Sequence, residues 1–388
     1  MAPQSDDESL QQAPAVKPAT QRASGGAHRA SDFDAPFLEA PVPLGGEANG
    51  SLVVSQSFSG YDISAPVTVW RGREPGPTVC LQAAVHGDEI NGAGAILQIL
   101  RDRPFELRAG TLILVPVVNL IGFERNARYM PDRRDLNRSF PGSVGGTLTG
   151  RLAHAYFTQV IERCDYCIDL HTAAVRRTNF PNVRANLSID RLAAFARAFG
   201  AELTINGDGP QGSLRSEACK AGCATLILEA GEVWKTEPTV VEYAIRGVTN
   251  CLRFLGMVAG KPIEPPYRLE TDATKWIRAE HGGFLSFHVA PGQIVSAGEP
   301  IATAHSLHGD DLGVIAAPRE GIILGMTTIP SVSPGDPVCH LAFPSEGSLA
   351  KVERAVNRLR VSSLHERVRD DLARSVNVTE HNESDPMA

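Results

Sequence analysis

The chain lacks any run of about 18 apolar residues, the minimum for a helix across a bilayer, so no membrane span is expected. It lacks a basic excess. Formal net charge is -7, with 37 Lys and Arg against 44 Asp and Glu. That balance argues against nucleic acid, whose binding is driven by counterion release from a cationic surface. It leaves room for an anionic small substrate held by a local arginine cluster. The chain also lacks a disulfide framework. Seven cysteines in 388 residues are few, and their odd number leaves at least one thiol out of any intramolecular pairing. Cys164 and Cys167 have CxxC spacing, but with no second pair at zinc-ribbon spacing they read as structural. The first residues, Met1 to Glu8, are acidic and are not followed by an apolar secretory core, so a reduced cytoplasm is the expected compartment.

What is present is an alternation of strands and helices. Residues 1–45, rich in Ala, Pro, Gln, Ser and Gly, read as a disordered arm. Short strands follow around Leu52–Val54 and Pro66–Trp70, turned at Gly60. Thr78–Val85 and Thr111–Val118 are apolar runs of strand length, buried on both faces. Between them, Ile90, Ala93, Ile96, Leu97 and Leu100 keep helical spacing. A polar, arginine-bearing loop covers Asn119–Thr149. Then come a helix over Arg151–Arg163, a strand ending at His171, a helix over Ile189–Phe199 and a strand at Glu202–Ile205. A short helix over Gly212–Ala221, strand Ala224–Leu228 and a helix over Val240–Leu255 complete the unit. The expected fold is α/β, a mixed sheet flanked by helices, with ligands at the carboxyl ends of strands. Residues 46–260 form the expected catalytic domain. From 267 to 345 the segments are short, β-like and punctuated by Gly and Pro, with a faint duplication. They suggest a small β-sandwich, and residues 346–388 a charged terminal helix and polar tail. The sandwich resembles the barrel-sandwich fold of biotinyl and lipoyl domains. No lysine lies between Lys275 and Lys351, which excludes a swinging-arm carrier.

Three residues stand at or just past strand ends: His86, Glu89 and His171. Two imidazoles and a carboxylate, with a fourth position for water, describe a hydrolytic zinc site, one Zn2+ per chain. Taken singly, each has a plainer reading as a hydrogen-bonded histidine or a first-turn acid. Asp169 could hold the imidazole of His171 from behind. Glu229 emerges from an apolar strand and suits a general base that passes its proton to a leaving nitrogen, with Glu232 as its rival. Asn137 and Arg138 offer an amide and a guanidinium side by side for a substrate carboxylate. Arg128 could steady an oxyanion. One of Arg176, Arg177 and Arg184 lines the pocket, whereas Arg133 and Arg134 read as surface charges.

Four ordered segments, His86-Gly87-Asp88-Glu89, Asp135-Leu136-Asn137-Arg138, Asp169-Leu170-His171 and Glu229-Ala230-Gly231, resemble the succinylglutamate desuccinylase/aspartoacylase family, a branch of the zinc carboxypeptidase fold. The resemblance runs from about residue 50 to 345. It implies zinc on His86, Glu89 and His171, carbonyl polarisation by Arg128, carboxylate binding by Asn137 and Arg138, and acid/base catalysis by Glu229. An arginine that aspartoacylases carry shortly before the catalytic glutamate would fall near Cys219, where Arg215 is close. The overall layout is closer to bacterial relatives that deacetylate N-acetyl-diaminobutyrate. The implied activity is deacylation of a small N-acyl amino acid. The rival readings are a zinc carboxypeptidase on short peptides and a catalytically silent scaffold. A homo-oligomer is compatible with the sequence, and no nucleic-acid or membrane partner is expected.

Overall fold

The computed structural model describes residues 32–376 and Val378, apart from 58, 346, 357 and 361. In chain order the elements begin β1 (Glu47–Gln56), β2 (Asp62–Arg71), β3 (Glu74–Ala83), α1 (Asn91–Asp102) and β4 (Ala109–Val115). Next are α2 (Leu120–Phe123), α3 (Leu148–Gln159), β5 (Tyr166–His171), β6 (Arg177–Ala185), α4 (Asp190–Phe199), β7 (Leu203–Asn206), α5 (Leu214–Lys220), β8 (Ala224–Glu232) and α6 (Pro238–Phe254). The remainder is β9 (Leu269–Thr271), β10 (Thr274–Arg278), β11 (Gly283–Phe287), β12 (Ile294–Val295), β13 (Pro300–His305), β14 (Asp311–Ala316), β15 (Gly321–Thr327), β16 (Ser331–Val332), β17 (Pro337–Ala342), α7 (Leu349–Val356) and α8 (Leu364–Val376).

The fold is mixed α/β, as the alternation implies. Its large sheet runs β1-β2-β4-β3-β5-β8-β6-β15-β17-β10, with β12, β7 and β9 joined at the side. The centre, β4-β3-β5-β8, is parallel. Val79, Cys80 and Leu81 are all fully buried, which is why this stretch reads as unbroken apolar rather than alternating. Helices α1, α4 and α6 cover one face with Ile96, Ile99, Phe195, Phe199 and Val248. Helix α3 covers the other with Leu152, Tyr156 and Phe157. Among the described residues, no helix is long and apolar enough to cross a membrane.

The carboxy-terminal β-region has two layers, as expected, but they are not self-contained. Strand β15 pairs antiparallel with β6, so one layer continues the large sheet. The other layer is the four-stranded sheet β14-β13-β11-β16. Leu285 and Phe287 from the small sheet and Ile323, Met326, Val338 and Leu341 from the large one share a core. A polar ladder ties three strands of the small sheet: Ser286 Oγ lies 3.1 Å from His305 Nε2, and His305 Nδ1 lies 2.7 Å from Asp311.

Four further details differ from the sequence reading. Residues 32–46, expected as arm, pack against the core through Ala35, Phe37 and Val42, while residues 1–31 lie outside the described residues. The polar loop holds α2 and a 3-10 turn over Leu136–Arg138. The terminal helix is two helices, α7 and α8. Strand β6, a segment for which the sequence reading named no strand, carries Pro181 inside it. The ladder to β8 shifts register between Asn179 and Asn182, the kind of irregularity that admits a proline.

Candidate active site

Parallel strands β3 and β5 end side by side, β8 runs past them to Glu232, and the candidate residues gather at that edge. His171 is the last residue of β5 and pairs with Glu229 in register. Glu229 therefore lies within β8 rather than past its end. Beyond β3 the chain turns through Ala84, whose φ of 52° is left-handed and strained for a residue with a Cβ. It then delivers His86, Gly87 and Glu89. A Cβ on Gly87 would lie 2.0 Å from the backbone of Gly122, so only glycine lets the two turns meet. Asn119 fastens the same contact. It accepts from the Gly122 amide at 2.9 Å and donates to the Val85 carbonyl at 3.3 Å.

His86 Nδ1 stands 2.7 Å from Glu89 Oε1, and His171 Nδ1 stands 2.8 Å from Glu89 Oε2. One ligand atom from each of the three residues falls within 4.8 Å of the other two, so the group could hold a metal ion. The opposite nitrogens are both occupied by carboxylates. His86 Nε2 is 3.1 Å from Asp135 and His171 Nε2 is 2.9 Å from Asp169. With its Nε2 proton engaged by a carboxylate, each imidazole carries a second proton on Nδ1 toward Glu89 when no cation is bound, and can give that nitrogen's lone pair to a cation in the proton's place. The donor set thus fits a divalent cation. The backbone N–H of Thr172 also donates to Glu89, at 3.1 Å.

Charge follows the same wiring. Burial pushes Glu89 up, but the positive charges of His86 and His171 outweigh it and hold its carboxyl well below the usual range. Burial pulls His171 down, but Asp169 and Glu89 outweigh it and raise it. His86 behaves alike: burial is outweighed by Glu89 and Asp135. Asp135 is pushed up by burial, yet its bond to His86 and the Arg128 charge hold it well below the carboxylate range. Asp135 also caps the 3-10 turn by accepting from Asn137 N–H at 2.8 Å, so the turn that bears Asn137 and Arg138 is tied to His86. Arg128 donates to Glu89 at 2.9 Å and to Asp135 at 3.3 Å.

A cavity of about 230 Å³ opens on this group, and His86, Glu89, Arg128, Asn137, Arg138, His171 and Glu229 all line it. Every residue singled out as catalytic, substrate-binding or metal-ligating from the sequence is brought to one place. Glu229 accepts from Asn179 Nδ2 at 3.1 Å and lies 3.7 Å from Arg184 Nε. Glu232 is engaged elsewhere, with Lys235 and, at 2.7 Å, the Thr328 hydroxyl. Of the arginines left open, Arg177, Arg184 and Arg215 line the cavity, while Arg133 and Arg134 are exposed outside it. Burial and the Arg184 charge pull Arg215 down to about 10, still cationic at neutral pH. Trp276 of β10 and His340 of β17 complete the wall. They stack at 4.5 Å, with the Arg177 guanidinium 4.9 Å from the Trp276 ring centre. No motif or spacing marks this pair, because each becomes a wall residue only through the pairing of β15 with β6.

Residues 75–255 match the model of the succinylglutamate desuccinylase/aspartoacylase catalytic domain. The chain is thus similar to that family's catalytic domain over those residues. The family is one of deacylases, hydrolases of amide bonds in small N-acyl compounds. A curated member, the N-alpha-acetyl-L-2,4-diaminobutyric acid deacetylase of Halomonas elongata, is 29% identical over 325 residues, which span 79% of this chain and 90% of that one. The crystal structure of a succinylglutamate desuccinylase/aspartoacylase from Rhodobacter sphaeroides superposes with a TM-score of 0.65 at 26% identity, over 76% of this chain and 96% of that one. The product-bound ectoine utilization protein of Ruegeria pomeroyi shares the fold at a TM-score of 0.68 and 24% identity, over 78% and 97%.

Proposed function

We propose that the chain is a zinc-dependent amidohydrolase that removes the acyl group from a small N-acylated amino acid. The carrying observation is the convergence of His86, Glu89 and His171, with a carboxylate behind each imidazole. These three residues would hold one Zn2+ per chain. When bound, the ion supplies a Lewis acid for the scissile carbonyl and brings the pKa of the attacking water toward neutrality. Glu229 accepts the water proton as the oxygen adds to the carbonyl carbon. It returns that proton to the nitrogen as the C–N bond breaks, leaving a carboxylate and a free amine. Asn179 and Arg184 keep the Glu229 carboxylate aimed into the cavity. The Arg128 guanidinium, already at this edge, offers its N–H groups to the developing oxyanion. Asn137 and Arg138 take the carboxylate of the amino acid, Arg138 through its planar fork.

Two features narrow the substrate. The volume lies below the roughly 300–1,000 Å³ of pockets for drug-sized ligands, which favours a single acylated amino acid over a peptide. Five arginines, 128, 138, 177, 184 and 215, face Glu89 and Glu229. That excess favours a substrate of net negative charge. The relative from Halomonas elongata, by its name, deacetylates N-acetyl-diaminobutyrate. The same carboxylate-bearing, singly acylated frame is proposed here.

The deciding experiment is an activity screen over acyl groups and amino acids, beside dipeptides, with and without a chelator. The reading expects chelator-sensitive release of amine from N-acyl amino acids. Turnover of dipeptides alone would make the chain a carboxypeptidase, and chelator-insensitive turnover would remove the metal.

A further inference from the structure

Just past the end of β8 the chain passes through Trp234, whose φ of 57° is left-handed. For a residue as bulky as tryptophan that backbone is an outlier, and such strain persists only where the surroundings hold it. The ring is half exposed, so packing alone does not account for it. Two hydrogen bonds do. The Trp234 backbone N–H donates to the Asp88 carbonyl at 2.9 Å, inside the turn between His86 and Glu89. Its indole Nε1–H donates to the Asn126 carbonyl at 3.0 Å. Asn126 is itself left-handed, with a φ of 49°, and stands two residues before Arg128. Residues 124–126 are exposed, and the backbone N–H groups of 124–127 all donate back into α2, to Leu120, Gly122 and Phe123. The indole ties this segment across the site instead, to the strand that carries Glu229 five residues before Trp234. One strained residue thus joins the turn of the metal-ligand candidates, the strand of the base and the segment that leads into Arg128.

We propose that Trp234 is a positioning residue for Arg128. Its indole fixes the Asn126 carbonyl, and so sets where the Arg128 guanidinium stands against Glu89 and, across the cavity, against Glu229. Arg128 reaches Glu89 at 2.9 Å and Asp135 at 3.3 Å. A segment free to drift would lengthen both bonds and move the N–H groups off the developing oxyanion, where donor placement counts most. Trp234 itself stands outside the cavity lining, so it acts through Arg128 and not on substrate. The inference rests on the reading of Arg128 as the oxyanion donor.

The test is a double-mutant cycle in kcat and KM on the full chain, with melting temperatures beside it. The substrate is the N-acyl amino acid that the parent chain turns over fastest. Trp234→Phe keeps an aromatic ring and removes the donor. It is expected to lower kcat by about 3–10-fold, the size of one neutral hydrogen bond, with KM and metal content little changed. In an Arg128→Ala background the same change is expected to cost no further kcat, because a residue that works through Arg128 has nothing left to place. Trp234→Gly takes the left-handed backbone without strain. It is expected to lose kcat alike, and it decides the matter if Trp234→Phe does not fold. A lower melting temperature with unchanged kcat would assign the indole to stability and overturn the inference, as would an equal loss of kcat in both backgrounds. If Arg128→Ala alone keeps the parent's kcat, the oxyanion reading of Arg128 fails first, and the inference falls with it.

Discussion

The metal-facing end of the cavity and its far wall are built differently. His86, Glu89 and His171 are 3%, 2% and 4% exposed, and each is held by at least two polar partners. Their angles are over-determined, which suits chemistry that fails when a donor swings. The wall, Arg177, Arg184, Arg215, Trp276 and His340, comes from four separate elements: β6, α5, β10 and β17. Its side chains touch through stacking and long-range charge more than through paired hydrogen bonds. One end is fixed by paired hydrogen bonds among its own residues. The other takes Trp276 and His340 from the carboxy-terminal β-region, so changes in that region reach the pocket.

Substitutions should separate the two ends. Glu229→Gln, at their junction, is expected to keep metal content and lose about 100–10,000-fold in kcat. Retained turnover would pass the proton to Glu232. Arg138→Ala is expected to raise KM by about 10–100-fold for carboxylate substrates, and far less for the corresponding amides, because a charge-assisted hydrogen bond is lost. Equal effects on both would remove Arg138 from carboxylate binding. Trp276→Ala, on the wall alone, should change kcat/KM by about 2–10-fold, with the size of the change depending on the acyl group, and leave metal affinity unmoved. A loss of zinc in that variant would erase the distinction between the ends.

The remaining expected effect is on stability rather than on turnover. Burial, with the Arg184 and Arg177 charges, pulls His340 down to about 4 from a usual value near 6.5. The native state thus prefers the neutral ring. Its contribution is fully present above pH ~6.5 and is lost as pH falls through the window from ~6.5 to ~4. His340→Gln should flatten the acid limb of the stability curve by up to about 3 kcal/mol over that window. An unchanged limb would place the ring in solvent.

The same division governs what could be read from the sequence. His86, Glu89, Asp169, His171 and Glu229 are encoded locally, at the ends of apolar strands whose length and burial are themselves legible. A polar residue that follows such a run must sit on the carboxyl edge, so the site assembles from one-dimensional information. The wall does not. Strand β6 hides behind its charges and Pro181, which a register shift accommodates. Trp276 and His340 enter only because β15 pairs with β6 and carries β17 and β10 with it. Asp135 was legible as part of a motif. Its double duty on His86 and on the Asn137 turn needed coordinates.

The central claim is that the end built from His86, Glu89 and His171 is a metal centre. The most direct measurement is the metal content of the chain purified without added metal, with His171→Ala beside it. About one equivalent of zinc in the parent chain, lost in the variant, is the predicted result. Less than about half an equivalent of any divalent metal, in protein that still deacylates N-acyl amino acids, would contradict it.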